Sequence, residues 1–374
     1  MIIKNAKIFG ADFQFAHREV CTFGDIVSQT SDNKDVIDAK GLMLIPGLID
    51  IHLHGAIGHD FMDANMDCLK SIASYQTLHG ITSFCSATMT LSVAEIKKAL
   101  VVAHQYRARQ EQANLEGVYL EGPFISKSKL GSQNPLHVKQ ADPLVLDDLM
   151  SVQKDLIKVC TIAPEKPYAM KIIADYKKHI VFSIGHSEID YETSLNAFRV
   201  GVTELTHSFN SMNEMLHRAP GPVGAAFEHG KVNCEIITDG VNVHPTMVKA
   251  LFKLMGDEHI VMISDSMTAT GLADGYFNQL GHSIVKHGKG ACRQDGSIAG
   301  SVSNLYDCFK NAVLNIGIKL ETALRACTYN PAKVIKVLDK VGTIEVGKRA
   351  DLLLIDDELN IKKIILRGKV LDLG

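Results

Sequence analysis

MLIPGLIDIHLH, residues 43–54, is an apolar run that ends in a His-x-His pair. Seven more runs of this kind follow. They are ITSFCSAT at 81–88, EGVYLEG at 116–122, IKVCTIAPE at 157–165 and IVFSIGH at 180–186, then TELTH at 203–207, VNCEIITDG at 232–240 and HIVMISD at 259–265. Amphipathic stretches of helical length separate them, such as VAEIKKALVVAHQYRARQ at 93–110. Short β-branched runs alternating with helical segments imply parallel βα units. Eight units predict an α/β fold of the TIM-type (β/α)8 barrel kind over residues 43–338. The rival arrangement, a doubly wound sheet, carries a GxGxxG turn after its first strand. No such turn occurs here.

The flanks, residues 1–42 and 339–374, have another rhythm. RADLLLIDDELNIKKIILRGKVL at 349–371 reads as three strands joined by turns. Neither flank is large enough to fold well alone. They are expected to pair into one small β-sandwich domain, which brings the two termini together.

The 374 residues suit one large domain and one small one. A net charge of −3 without a basic stripe argues against a nucleic-acid partner. No stretch approaches the ~20 apolar residues of a membrane-spanning helix. MIIKNAKIFGADFQF lacks a basic segment followed by a long apolar run, so no signal peptide is expected. Eight cysteines lie singly, with no CxxC pair, and Cys85, Cys160 and Cys234 sit inside apolar runs. Reduced thiols in a cytoplasmic protein are the expectation.

The apolar runs end in chemistry. His52 and His54 close the first, Glu121 the third, His186 the fifth, His207 the sixth and Asp265 the eighth. In a (β/α)8 barrel these ends converge on one face. Residues i and i+2 of a strand share a face, so His52 and His54 can reach one ion together. Imidazole and carboxylate suit Zn²⁺, and also Mn²⁺ or Fe²⁺. Asp265 could cap a helix, bind metal or move protons; beside a hydrolytic metal the last role is favoured. His17, His79, His104, His229 and His287 lack this context and are expected at surfaces.

Finer motifs carry a resemblance. They are PGLIDIHLHG at 46–55, LEGPFIS at 120–126, TIAPE at 161–165, GHS at 185–187, THSFNSM at 206–212 and HRAPGPVG at 217–224. ISDSM at 263–267, DGSIAGS at 295–301, NPAK at 330–333 and GTIEVGKRADLLLID at 342–356 continue the series. Together they resemble the amidohydrolase superfamily and, within it, the N-acetylglucosamine-6-phosphate deacetylases. The resemblance implies hydrolysis of an N-acetyl amide on a phosphorylated amino sugar. It implies Glu121, His186 and His207 as ligands of a main divalent metal, and His52 and His54 as ligands of a second, so one or two ions per subunit. It places Asn210, Ser211 and Arg218 on the sugar phosphate and Gly300 in a substrate-contact loop. In the family that arginine reaches across from a second subunit, which implies a homodimer. The lysine that bridges two metals in many relatives is absent from the fourth run, which argues against a cyclic-amide hydrolase.

Three positions depart from the family pattern. Gln133 and Asn242 stand where histidines are common, and Ser211 where alanine is usual. Glutamine and asparagine still donate hydrogen bonds but carry no charge. The departures bear on the sugar, and the galactosamine epimer stays open. Another amidohydrolase, or a non-catalytic scaffold on this fold, are the competing readings; a scaffold is expected to have lost ligands.

Overall fold

The 43–54 run does not form one strand. In the computed structural model, Met43–Pro46 enters a sheet built from both chain ends, and Leu48–Leu53 becomes the first barrel strand. The break falls at Gly47. Its N–H donates to the Asp351 carbonyl at 2.8 Å, and a Cβ there would lie 2.1 Å from Thr82 Oγ1. Only glycine lets the backbone pass so close. Residues 43–46, read above as the start of the barrel, therefore leave it. Both halves are buried throughout, so the apolar pattern carries no mark of the change. We propose Gly47 as the domain boundary. The structure describes residues 1–31, 35–279, 282–293, 296 and 298–372; Asp295 and Ser297 of the 295–301 motif lie outside them.

The remaining runs give the other barrel strands: Ile81–Ala87, Asn114–Leu120, Ile157–Ile162, Val181–Ile184, Glu204–Leu205, Asn233–Ile237 and Ile260–Ile263. Each pairs in parallel with the next in chain order. Asp265 N–H donates to the His52 carbonyl at 3.0 Å and His54 N–H to the Ser266 carbonyl at 2.8 Å, which joins the last strand to the first. Alternation splits the side chains in two. Ile49, Ile51, Tyr119, Val159, Ile237 and Ile263 fill one cluster, while Leu48, Phe84, Leu120, Cys234 and Ile236 pack with the helices in another.

The end segments form two sheets. Ile26–Ser28, Val20–Phe23, Ile2–Lys4 and Val36–Asp38 make a four-stranded one. Lys369–Leu371, Ile361–Leu366, Leu352–Ile355, Met43–Pro46, Lys7–Phe9 and Phe15–His17 make a six-stranded one. Ile3, Ile8, Val20, Leu44, Leu352 and Ile365 pack between them. Met1 and Leu371 line the same surface groove, so the ends do meet. Arg349 ties this domain to the barrel. Its Nη2 donates to Ser83 Oγ and Glu116 Oε1, both at 2.6 Å, and its Nε to Asp351.

A further antiparallel sheet of four strands spans 275–301 and has no counterpart in the expectations above. Its signal was the turn HGKG at 287–290 between alternating segments. All eight cysteines are free thiols. His17, His104 and His287 are exposed, whereas His79 and His229 are half-buried. Among the described residues no helix is long and apolar enough to cross a membrane.

Candidate functional site

Left-handed backbone recurs at the barrel mouth, at His186 with φ 48°, His207 with φ 30° and Asp265 with φ 50°. None is glycine, and this conformation costs on the order of 1–3 kcal/mol at each. The chain turns sharply just past the fifth, sixth and eighth strands and aims these side chains inward. Glu121 follows the third strand directly. Gly122 after it has φ 78°, and a Cβ there would sit 2.0 Å from Thr90 Oγ1, so the turn that presents Glu121 requires glycine.

Glu121 stands between two groups of ligand atoms. His186 Nε2 and His207 Nε2 each lie 3.1 Å from its Oε1 and 3.1 Å from each other. His54 Nε2 lies 3.3 Å from its Oε2 and 3.3 Å from Asp265 Oδ1. His52 Nε2 is 3.4 Å from Glu121 Oε1 and 3.8 Å from Asp265 Oδ1. The ligand atoms of Glu121, His186 and His207 fall within 4.8 Å of one another, and so do those of His52, His54 and Asp265.

The donor set fits a divalent cation. His186 Nδ1 is 2.8 Å from the Lys129 carbonyl and His207 Nδ1 3.1 Å from the Asn210 carbonyl. A carbonyl only accepts, so Nδ1 carries the hydrogen and Nε2 the lone pair. Two lone pairs 3.1 Å apart, both facing a buried carboxylate, repel unless a cation or a proton lies between them. The charges respond accordingly. Burial opposes ionisation of Glu121, but the His186 and His52 charges hold it well below the usual carboxylate range. Burial would lower His54, yet its hydrogen bonds to Asp265 and Glu121 push it up to about 10. His52 and His207 are raised against burial, His52 by Glu235 and Glu121, His207 by Glu121. Asp265 is lowered against burial by its hydrogen bond to His54.

One pocket gathers His54, Glu121, Gln133, His186, His207, Asn210, Ser211, Asn242, Asp265 and Gly300. His52 lies behind it, fully buried. Gln133 is engaged within the site as well as lining the pocket. Its Oε1 accepts from Thr90 N–H at 2.6 Å and its Nε2 donates to Glu121 Oε2. Asn242 is held by Asp239, to which its Nδ2 donates at 2.6 Å. Asn210 Nδ2 is buried with no hydrogen-bond partner among the described residues. Arg218 does not join the pocket of its own chain. It is exposed, in a separate groove with Asp190, Tyr191, Asn213 and Glu214.

Sequence reasoning passed over Met89, Met267, Ile298 and Ala299, which also line the pocket. It also passed over Glu204 and Glu235, both fully buried in the barrel. Burial, and then the charge of Glu235, push Glu204 well above the carboxylate range. A charged residue inside an apolar strand run was the available signal.

With this geometry in place the comparisons are specific. The amidohydrolase family model matches residues 43–371. The N-acetylglucosamine-6-phosphate deacetylase of Bacillus subtilis (strain 168) is 32% identical, over 90% of this chain and 87% of that one. The N-acetylgalactosamine-6-phosphate deacetylase of Escherichia coli O157:H7 is 31% identical, over 90% of this chain and 89% of that one. A variant of the N-acetyl-D-glucosamine-6-phosphate deacetylase of Mycobacterium smegmatis, solved in complex with N-acetyl-D-glucosamine-6-phosphate, superposes with a TM-score of 0.91 at 27% identity, covering 99% of this chain and 98% of that one. The chain belongs to the amidohydrolase family. Within that family, these relatives are all amino-sugar 6-phosphate deacetylases.

Proposed function

We propose that this chain is a metal-dependent hydrolase that removes the acetyl group of N-acetylglucosamine 6-phosphate, giving glucosamine 6-phosphate and acetate. The observation that carries this reading is Glu121, set between two ligand clusters at the mouth of the barrel with Asp265 beside them. Glu121, His186 and His207 would hold one divalent ion, and His52 and His54 a second, with zinc, iron or manganese all suited to such ligands. When bound, such an ion lowers the pKa of water and polarises the amide carbonyl.

The chain's own groups supply the rest. Asp265 takes a proton from the attacking water and returns it to the departing amine. Asn210, whose Nδ2 has no partner among the described residues, faces the sugar with Ser211 and Asn242, and Gly300 lies at the pocket wall. Arg218 serves the phosphate of a second copy's substrate, because its guanidinium fork matches phosphate and its own pocket excludes it. The working unit is then a homodimer. Eight free thiols, most of them buried, suit the cytoplasm.

A panel of N-acetylglucosamine and N-acetylgalactosamine, each with and without 6-phosphate, tests the reading in the presence of added Zn²⁺, Mn²⁺ or Fe²⁺. Fastest turnover is expected on N-acetylglucosamine 6-phosphate. Preference for the galactosamine epimer would reassign the sugar, and no release of acetate from any of the four would end the deacetylase reading.

A further inference from the structure

Glu235 lies on the barrel strand Asn233–Ile237, where alternation sends it inward with Ile237 while Cys234 and Ile236 face the helices. It is fully buried. A lone carboxylate in such a place carries a large desolvation cost, which its contacts must offset. Its Oε2 accepts from His52 Nδ1 at 3.1 Å and from the His207 backbone N–H at 3.1 Å. One oxygen thus holds a residue from each ligand cluster.

The two bonds differ in what they do. At His207 the bond reaches the backbone, and the ring of that residue is oriented separately by the Asn210 carbonyl. At His52 the bond decides the chemistry of the ring. A carboxylate facing Nδ1 keeps the hydrogen there, so the Nε2 lone pair points toward Glu121 and Asp265. His52 Nε2 has no hydrogen-bond partner among the described residues. The ring face is fixed by Tyr119, stacked at 4.1 Å between centroids and 27° between planes, whose hydroxyl is held by Thr206 at 2.9 Å. Tyr119 sets the plane of the ring, and Glu235 sets which edge is offered.

We infer that Glu235 is a positioning residue that governs occupancy of the second metal position, the one served by His52 and His54. The inference rests on the two-ion reading above. Losing such a partner typically weakens metal binding about 10–100-fold. The effect should fall mainly on that ion, because Glu235 touches only the backbone of His207, whose ring is held by the Asn210 carbonyl.

The test is a cobalt titration of metal-stripped protein, followed by equilibrium dialysis and by visible ligand-field absorption. Wild type is compared with Glu235→Leu, which removes the acceptor, and Glu235→Gln, whose amide oxygen can still accept both bonds but lacks charge. Wild type should take two ions. Glu235→Leu should bind the second at least about tenfold more weakly and the first with a much smaller change, with Glu235→Gln between wild type and Glu235→Leu. Thermal unfolding of the stripped proteins establishes that each variant folds. If Glu235→Leu does not fold, Glu235→Gln decides, and second-ion affinity within twofold of wild type overturns the inference. Two ions bound equally tightly by wild type and Glu235→Leu also overturn it. A wild type that takes only one ion instead removes the two-ion reading on which it stands.

Discussion

Gln133 donates its side-chain amide to the carboxylate of Glu121. Thr90 N–H dictates that orientation, because it can only donate and so claims the amide oxygen. Gln133 therefore acts on the proposed metal ligand Glu121, whose Oε2 is shared between it and the His54 side of the site. Gln133→Leu should weaken metal retention about tenfold, measured by chelator competition. Unchanged metal affinity with a fall of a hundredfold or more in kcat would instead make Gln133 a group that acts on the substrate carbonyl.

Asp265 lies 3.3 Å from His54 Nε2, at the pocket wall. Asparagine keeps its shape and loses its proton chemistry. Asp265→Asn should lose at least ~10² in kcat, with KM changed little. Metal analysis of the purified variant separates the roles. A variant still carrying its Glu121-site ion but slow supports the proton role, and a fall below tenfold refutes it.

Arg218 sits outside the pocket of its own chain. Charge-assisted phosphate contacts contribute roughly 1.5–3 kcal/mol. Arg218→Ala should raise KM for the 6-phosphate sugar at least about tenfold and leave the unphosphorylated sugar unaffected. Mixing Arg218→Ala with Asp265→Asn chains should restore part of the activity through mixed dimers. No recovery, with dimers shown by analytical ultracentrifugation, would place the phosphate elsewhere.

In the metal-stripped protein His54 keeps its proton up to about 10, against ~6.5 in an unfolded chain. The folded value is the higher one, so this stabilisation is complete below about pH 6.5 and fades as pH rises toward 10. Calorimetry should show the Tm of stripped protein falling across that window. Protein loaded with a divalent ion has its imidazoles deprotonated already and should hold a flatter profile. Parallel curves would show that His54 is not a ligand.

Arg349 is a half-buried cation shared by the buried carboxylates of Glu116 and Asp351. Removing one partner of such a set leaves uncompensated charge, typically about 3–5 kcal/mol. Arg349→Met should lower stability in urea by that order, with kcat of the folded fraction retained. A loss below about 1 kcal/mol would mean that water or Arg367 replaces it.

Much of this was readable because chemistry and geometry coincide at strand ends. His52, His54, Glu121, His186, His207 and Asp265 each follow an apolar run, and a barrel has one face where such ends meet. The partners of Gln133 were not readable, since they depend on how the 131–135 loop folds onto Thr90. Glu235 left a signal that alternation made ambiguous. In CEIIT a single Glu reads as a solvent-facing alternate, and only closure of the sheet turns that face inward. Arg218 could be assigned by motif, but no pattern within one chain says which pocket it serves. The passage through Gly47 left no trace, because apolar side chains are wanted on both sides of it.

That passage also sets a timetable. Met43–Pro46 pairs with Leu352–Ile355, and two residues after Pro46 the first barrel strand begins, which leads to His52 and His54. About 300 residues separate Pro46 from Leu352. At ~5–20 residues per second, a ribosome delivers the second partner roughly 15–60 s after the first. Through that interval Met43–Pro46 lacks this partner, although the neighbours of the strand that carries His52, Ile81–Ala87 and Ile260–Ile263, have already been made. A stop codon just before Leu352 would thus leave one edge of Met43–Pro46 open directly upstream of the barrel's first strand.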